Sequence, residues 1–111
     1  MSLPPPQLSH HVVASDGVVR VALAGEVDLA VADDLHHWLA AAAAEHPGLP
    51  VEVDMTSVTF IDSSGIRAFV RARNDAVGAG RGLRLVNTAG MALRVLQVAG
   101  VYAHLSGEPL D

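Results

Sequence analysis

The chain of 111 residues contains no cysteine and few aromatic residues. Without cysteine it can form no disulfide framework, no catalytic thiolate and no cysteine-based zinc site. Aromatic residues make up 4% of the chain, whereas hydrophobic residues make up 50%. Small and branched side chains must therefore fill the interior, which is typical of a compact α/β core with buried strands. The length predicts one domain.

Basic residues are also scarce, and the net charge is −5. Because no basic stripe offsets this charge, we expect no nucleic-acid partner. No hydrophobic run approaches the roughly 20 residues that cross a membrane, and the N-terminus lacks the features of a signal peptide. We expect a soluble, cytoplasmic protein with a disordered proline-rich leader (residues 1–7), one domain (8–106) and a polar tail (107–111).

Hydrophobic periodicity predicts an α/β fold with a mixed sheet of four to five strands and parallel right-handed crossovers. The predicted order is β-β-α-β-α-β-α-β. The elements are strands His10–Ala14 and Val18–Leu23 joined by a turn, a break at Gly25-Glu26, a helix ending near His46, strand Val51–Met55, a helix ending at Gly78, strand Leu83–Val86, a helix capped by Thr88 and followed by Gly100, and a closing strand Val101–Leu105.

The six histidines do not have the spacing of a metal site. His10 and His11 are neighbours on a strand and point to opposite faces, and His36 and His37 are neighbours on a helix, about 100° apart. None of these pairs has the i, i+4 spacing of a helical zinc site. We expect surface histidines and no metal.

Two other segments resemble a nucleotide-binding loop and a hydrolase nucleophile, but their sequence context does not fit either kind of site. The glycines of segment 78–82 run from a helix to a strand, whereas a dinucleotide-binding loop runs from a strand to a helix, and no Gly-Lys-Ser follows. Ser64 lacks the Gly-x-Ser-x-Gly context of a hydrolase nucleophile and has no histidine obviously placed as its base. The residues therefore favour neither a nucleotide-binding loop nor a hydrolase, and we do not expect an enzyme.

The segment Asp62-Ser63-Ser64-Gly65 lies between the strand that begins at Val51 and an amphipathic helix. A helix N-terminus stabilises negative charge through its free N–H groups and its dipole, so a phosphate on a serine could be accommodated here. Asp and Ser are also the commonest helix caps, and a cap alone would explain the segment. The residues by themselves leave both interpretations open.

Three segments in order resemble the STAS domain, and most of all the bacterial anti-anti-sigma factors. The early Gly-Glu-Leu-Asp signature resembles Leu23–Asp28, the central Asp-Ser-Ser-Gly segment resembles Val53–Ile66, and the last helix and strand resemble Leu93–Val101. The resemblance covers residues 8–106.

The resemblance implies a small regulatory protein without a cofactor. Ser63 would be the residue phosphorylated by a cognate anti-sigma factor, which is itself a serine kinase, and a serine phosphatase would reverse the modification. The unphosphorylated form would bind the kinase and free a sigma factor. The partner-binding residues implied are Asp28, Asp62, Ser63, Ser64, Gly65, Arg67 and Arg71.

Arg67 departs from the family pattern, which usually has a small residue there. Arg67 and Arg71 are one helical turn apart, and we expect them roughly beneath Ser63 on the face that meets the kinase. Either the partner is acidic at this point or the chain has acquired another use. The alternative function is a constitutive STAS interaction module, such as a scaffold or transport-system subunit, in which Ser63 is only a helix cap. The oligomeric state, monomer or weak dimer, is left open.

Overall fold

The computed structural model describes residues 6–107. Most of the predicted leader and tail therefore lies outside the described residues. The elements in chain order are β1 (Leu8–Ser15), β2 (Val18–Val27), α1 (Leu29–Glu45), β3 (Val51–Ile61), α2 (Ser63–Gly78), β4 (Leu83–Val86), α3 (Gly90–Val98) and α4 (Tyr102–Ser106).

The four strands form one mixed sheet in the order β1-β2-β3-β4. β1 and β2 are antiparallel, and β2–β3 and β3–β4 are parallel. The turn residues Asp16 and Gly17 have φ values of 56° and 78°. Two positive φ values in succession suit a tight hairpin, because the turn then follows the twist of the strands. The predicted hairpin and the α/β class are confirmed.

The predicted break at Gly25-Glu26 is wrong, because β2 continues to Val27. The pairing of β2 with β3 shifts register between Gly25 and Glu26. Gly25 has a φ of 122°, and a Cβ atom there would lie 2.0 Å from the carbonyl oxygen of Gln7. That oxygen accepts a hydrogen bond from the Glu26 N–H at 3.0 Å. The glycine therefore marks an irregularity within the strand and a close backbone contact.

The predicted closing strand Val101–Leu105 is also wrong, because residues 102–106 form the short helix α4. Leu105 is fully buried in the core, and Gly107 ends the helix with a φ of 73°. A short hydrophobic run fits either a strand or a buried helical turn, so periodicity could not distinguish them. Thr88 does not cap α3 either; Ala89 is the N-cap and makes no side-chain bond.

The helices pack their hydrophobic residues against one face of the sheet. That face carries alternating buried residues, which are Val19, Val21 and Leu23 on β2 and Val51, Val53 and Met55 on β3. Leu35 and Leu39 of α1 and Phe69 of α2 are buried in the same core. The predicted amphipathic character of both helices is confirmed, and β3 extends six residues beyond its predicted end at Met55, to Ile61.

On the opposite face, Glu52 joins three neighbouring strands. Its side chain accepts a hydrogen bond from Arg20 Nη2 at 2.8 Å and another from Arg84 Nε at 3.0 Å. Arg20 on β2 and Arg84 on β4 are each paired in register with Glu52 on β3. Glu52 is 8% exposed. The hydrogen bond from Arg20, followed by that from Arg84, lowers the pKa of Glu52 from its ordinary value.

We expect Glu52→Gln to lower the free energy of unfolding by about 1 to 2 kcal/mol near neutral pH, because both arginines lose a charged acceptor. The pKa of Glu52 is lower in the folded chain, so its contribution is present above the unfolded value of about 4.3 and disappears as the pH falls through the folded value. Urea unfolding of both proteins at neutral and acidic pH measures this difference.

Glu45→Gln is the matched control, because Glu45 is exposed at the end of α1. It should change stability little at either pH. A stability loss in Glu52→Gln that is equally large at acidic pH would contradict the assigned role of the ionised Glu52.

Candidate functional site

The predicted loop lies where two parallel strands end side by side. Val27 of β2 and Ile61 of β3 are paired in register. Each is followed by an aspartate, Asp28 or Asp62, and then by a helix. The Asp62 N–H donates to the Val27 carbonyl at 3.2 Å, which ties the two strand ends together. Both helices therefore begin at the same edge of the sheet, the carboxyl edge where functional loops of α/β proteins gather.

Both aspartates cap their helices. Asp28 Oδ1 accepts a hydrogen bond from the Ala30 N–H at 2.9 Å. Asp62 Oδ1 accepts from the N–H groups of Ser64 at 2.9 Å and Gly65 at 3.1 Å. These carboxylates occupy N–H groups that the helix cannot satisfy internally. The structure thus gives Asp28 and Asp62 a role in fixing the loop.

Ser63 is the first residue of α2 and is exposed, whereas Ser64 is half-buried and Gly65 is buried. The Ser63 hydroxyl forms no hydrogen bond with any residue between 6 and 107. Its position at a helix N-terminus is electrostatically favourable for an added anion. Of the two adjacent serines, Ser63 is the more exposed.

Gly65 allows the first turn of α2 to touch the end of β2. A Cβ atom at this position would lie 2.6 Å from Val27 Cγ1, 2.9 Å from the Val27 carbonyl oxygen and 3.0 Å from Ile61 Cγ1. Such distances are well inside van der Waals contact, and two of the three neighbours are core side chains that cannot move freely. Glycine is therefore required here for packing.

Arg67 and Arg71 are both exposed on α2. They line a groove between α1 and α2 that also includes Ser64, but Ser63 is not part of its lining. The structure thus groups the arginines with the second serine of the motif, whereas the sequence predicted a position beneath the first. The α1 residues of this groove, Leu29 and Asp33 among them, were missed from the sequence. No local pattern marks them, because the groove forms only when α1 packs beside α2.

The histidines lie away from this loop or in other contacts. His10 stacks on Trp38 with ring centroids 4.1 Å apart, and His36 Nε2 lies 2.8 Å from Asp75 Oδ2. Within the described part of the chain, no group of three histidine or acidic residues could hold a metal ion. No helix of residues 6–107 has the length and hydrophobicity needed to span a membrane.

Comparison with known proteins identifies one family and a set of similar folds. The model of the family described as Mlab, STAS domain, matches residues 10–106. No curated protein matches the chain. The structure is similar to an anti-sigma factor antagonist from Mycobacterium paratuberculosis, with 24% identity and a TM-score of 0.77, over 93% of this chain and 87% of that chain.

Two further solved structures have the same fold. The Bacillus cell fate determinant SpoIIAA in its phosphorylated form is 16% identical, with a TM-score of 0.65 over 88% of each chain. The murine anion transporter Slc26a9 is 22% identical, with a TM-score of 0.69, and the match covers 78% of this chain but 14% of the transporter. At these identities the similarity shows the fold.

We expect Gly65→Ala to destabilise the protein by about 1 to 3 kcal/mol, because the added methyl group must displace Val27 or the whole first turn of α2. Gly78→Ala is the matched control at the other end of the same helix, where a Cβ atom would meet nothing within 4 Å. It should be neutral or stabilise the protein by up to about 1 kcal/mol, since alanine favours helix. Chemical denaturation measures both variants. Equal stabilities would contradict the close packing at Gly65.

Proposed function

The chain belongs to the STAS domain family, and from this premise we propose that it is an anti-anti-sigma factor switched by phosphorylation of Ser63. In the proposed cycle the unphosphorylated chain binds a cognate anti-sigma factor, a serine kinase, and so frees a sigma factor. The observation that carries the proposal is the placement of Ser63, which is exposed at the start of a helix whose cap and packing are provided by its neighbours. A serine phosphatase would restore the binding form.

Phosphorylation would change this surface mainly through charge. It adds about 1.5 to 2 negative charges and three strong acceptor oxygens near neutral pH. Two unit charges about 6 Å apart interact by roughly 3 kcal/mol at an effective dielectric constant near 20. A partner carboxylate close to Ser63 would therefore be repelled strongly enough to end the binding. The chain needs no catalytic group or cofactor for this cycle, because the kinase binds ATP and catalyses the transfer of the phosphoryl group.

The alternative function is a constitutive STAS interaction module, in which Ser63 serves only to cap α2. The similarity of the fold to a small part of an anion transporter is consistent with this alternative. The hydrogen bonds contradict the capping role of Ser63. The carboxylate of Asp62 caps the helix, whereas the Ser63 hydroxyl bonds to no described residue. An exposed serine that the helix does not need fits a modification site better than a cap. The proposed cycle requires a cytoplasmic protein and leaves the choice between monomer and weak dimer open.

We expect a serine kinase encoded beside the gene of this protein to transfer phosphate from ATP to Ser63. Ser63→Ala should still bind the same kinase, should take up no phosphate, and should stay bound when ATP is added. Ser64→Ala is the matched control one residue along the helix, and it should still be phosphorylated. Mass spectrometry of the reacted proteins locates the phosphate, and calorimetry measures the affinities. Phosphate on Ser64 or on another residue would overturn the assignment.

A further inference from the structure

The strongest unassigned feature is a groove next to the proposed switch, which we call the serine-side groove. It has a volume of about 130 Å³. Its walls come from the first turns of α1 and from the exposed side of α2. The lining includes Leu29, Ala32 and Asp33 of α1 and Ser64, Arg67 and Arg71 of α2.

The two arginines of this groove have no partner within the described chain. No residue between 6 and 107 forms an ion pair or a hydrogen bond with the side chain of Arg67 or Arg71. Three of the other arginines have partners, and two, Arg73 and Arg94, have none between residues 6 and 107. Two like charges one turn apart on a helix repel each other. Of these unpaired arginines, Arg67 and Arg71 line the same groove, on a chain of net charge −5.

Leu29 adds a hydrophobic element to the same groove. It lies in the first turn of α1 and is 78% exposed, although most large hydrophobic residues of the chain are in the core. Ala32 and Ala68 belong to the same lining, so Leu29 is part of a small hydrophobic surface whose burial against a partner would stabilise a complex. Asp33 is the single carboxylate of the lining, so the two guanidinium groups still leave the groove positively charged.

We propose that the serine-side groove docks a segment of the partner that carries an aliphatic side chain beside carboxylates. The aliphatic side chain would pack on Leu29 and Ala32, and the carboxylates would pair with Arg67 and Arg71. This inference rests on the proposed function, because it specifies the chemistry of the partner at that site. Ser64 belongs to the groove and follows Ser63 directly. A phosphate on Ser63 would therefore stand close to the docked carboxylates and repel them.

A lipid surface is the less suitable occupant. Peripheral membrane binding depends on clusters of basic residues, each of which contributes only a modest attraction to anionic lipid. Two arginines beside one aspartate, on a chain of net charge −5, provide little attraction. The acidic protein segment requires only the local pair of arginines and one hydrophobic contact.

The test uses synthetic helical peptides as probes, so that it does not depend on knowing the kinase. One peptide carries Leu and Glu on the same face, and its control carries Gln in place of Glu. Amide shifts of the isotope-labelled chain are followed by NMR during titration. The acidic peptide should shift amides of residues 29–33 and 64–71, and raising the salt concentration should weaken its binding. The Gln peptide should bind much more weakly.

The variant Arg67→Glu/Arg71→Glu should weaken binding of the acidic peptide by about 20-fold or more, since each exposed charge pair is worth up to about fivefold in affinity. Arg73→Glu/Arg94→Glu changes the net charge equally at positions outside the groove lining and should retain most of the affinity. Leu29→Ala should weaken binding by several-fold without changing its salt dependence.

Three results would overturn the proposal. These are equal binding of the Gln peptide, an equal loss in the control double variant, and shifts of the groove amides by anionic vesicles but not by the acidic peptide. The outcome is separable from the proposed function. Phosphorylation of Ser63 without binding of the acidic peptide would refute only the groove, and binding of the peptide without any phosphorylation would refute only the switch.

Discussion

The close contact between Gly65 and the end of β2 is the constraint on which the rest of the site depends. It leaves no room for a side chain between the first turn of α2 and Val27. Successive residues of a helix are separated by about 100°, so the residue two positions before an inward-facing glycine points outward. Ser63 is that residue, and it is exposed. The packing of one glycine thus sets the orientation of the serine that we propose as the switch.

The residues of the loop 62–65 have different structural roles. Asp62 satisfies the N–H groups of Ser64 and Gly65, and Gly65 provides the contact with the sheet. The Ser63 hydroxyl forms no hydrogen bond inside the described chain, so its modification would remove no side-chain bond from the helix. Asp28 caps α1 in the same way at the neighbouring strand end. Two capped helices therefore hold the proposed switch residue and the serine-side groove at one edge of the sheet.

The sequence predicted the hairpin, the first three helices, the mixed parallel sheet and the position of the Asp-Ser-Ser-Gly loop, because each has a local signal in periodicity or turn chemistry. The prediction of a closing strand was wrong because the five-residue run Val101–Leu105 fits a strand or a helical turn equally well. The predicted N-cap of α3 was wrong because Thr88 is adjacent to the observed N-cap Ala89, and side-chain type alone favours threonine. The serine-side groove was missed because it depends on how α1 and α2 pack together. The exposure of Leu29, and the absence of partners for Arg67 and Arg71 within residues 6–107, are tertiary facts that no local pattern encodes.

We propose that phosphate on Ser63 acts through charge on a preformed surface. The most direct test is calorimetric measurement of the affinity of the phosphorylated and unphosphorylated chains for the cognate kinase at low and high salt. We expect the unphosphorylated chain to bind on the order of 100-fold more tightly at low salt, and we expect the difference to narrow as salt screens the exposed charges. Equal affinities, or a difference that is independent of salt, would contradict a charge-based switch at Ser63.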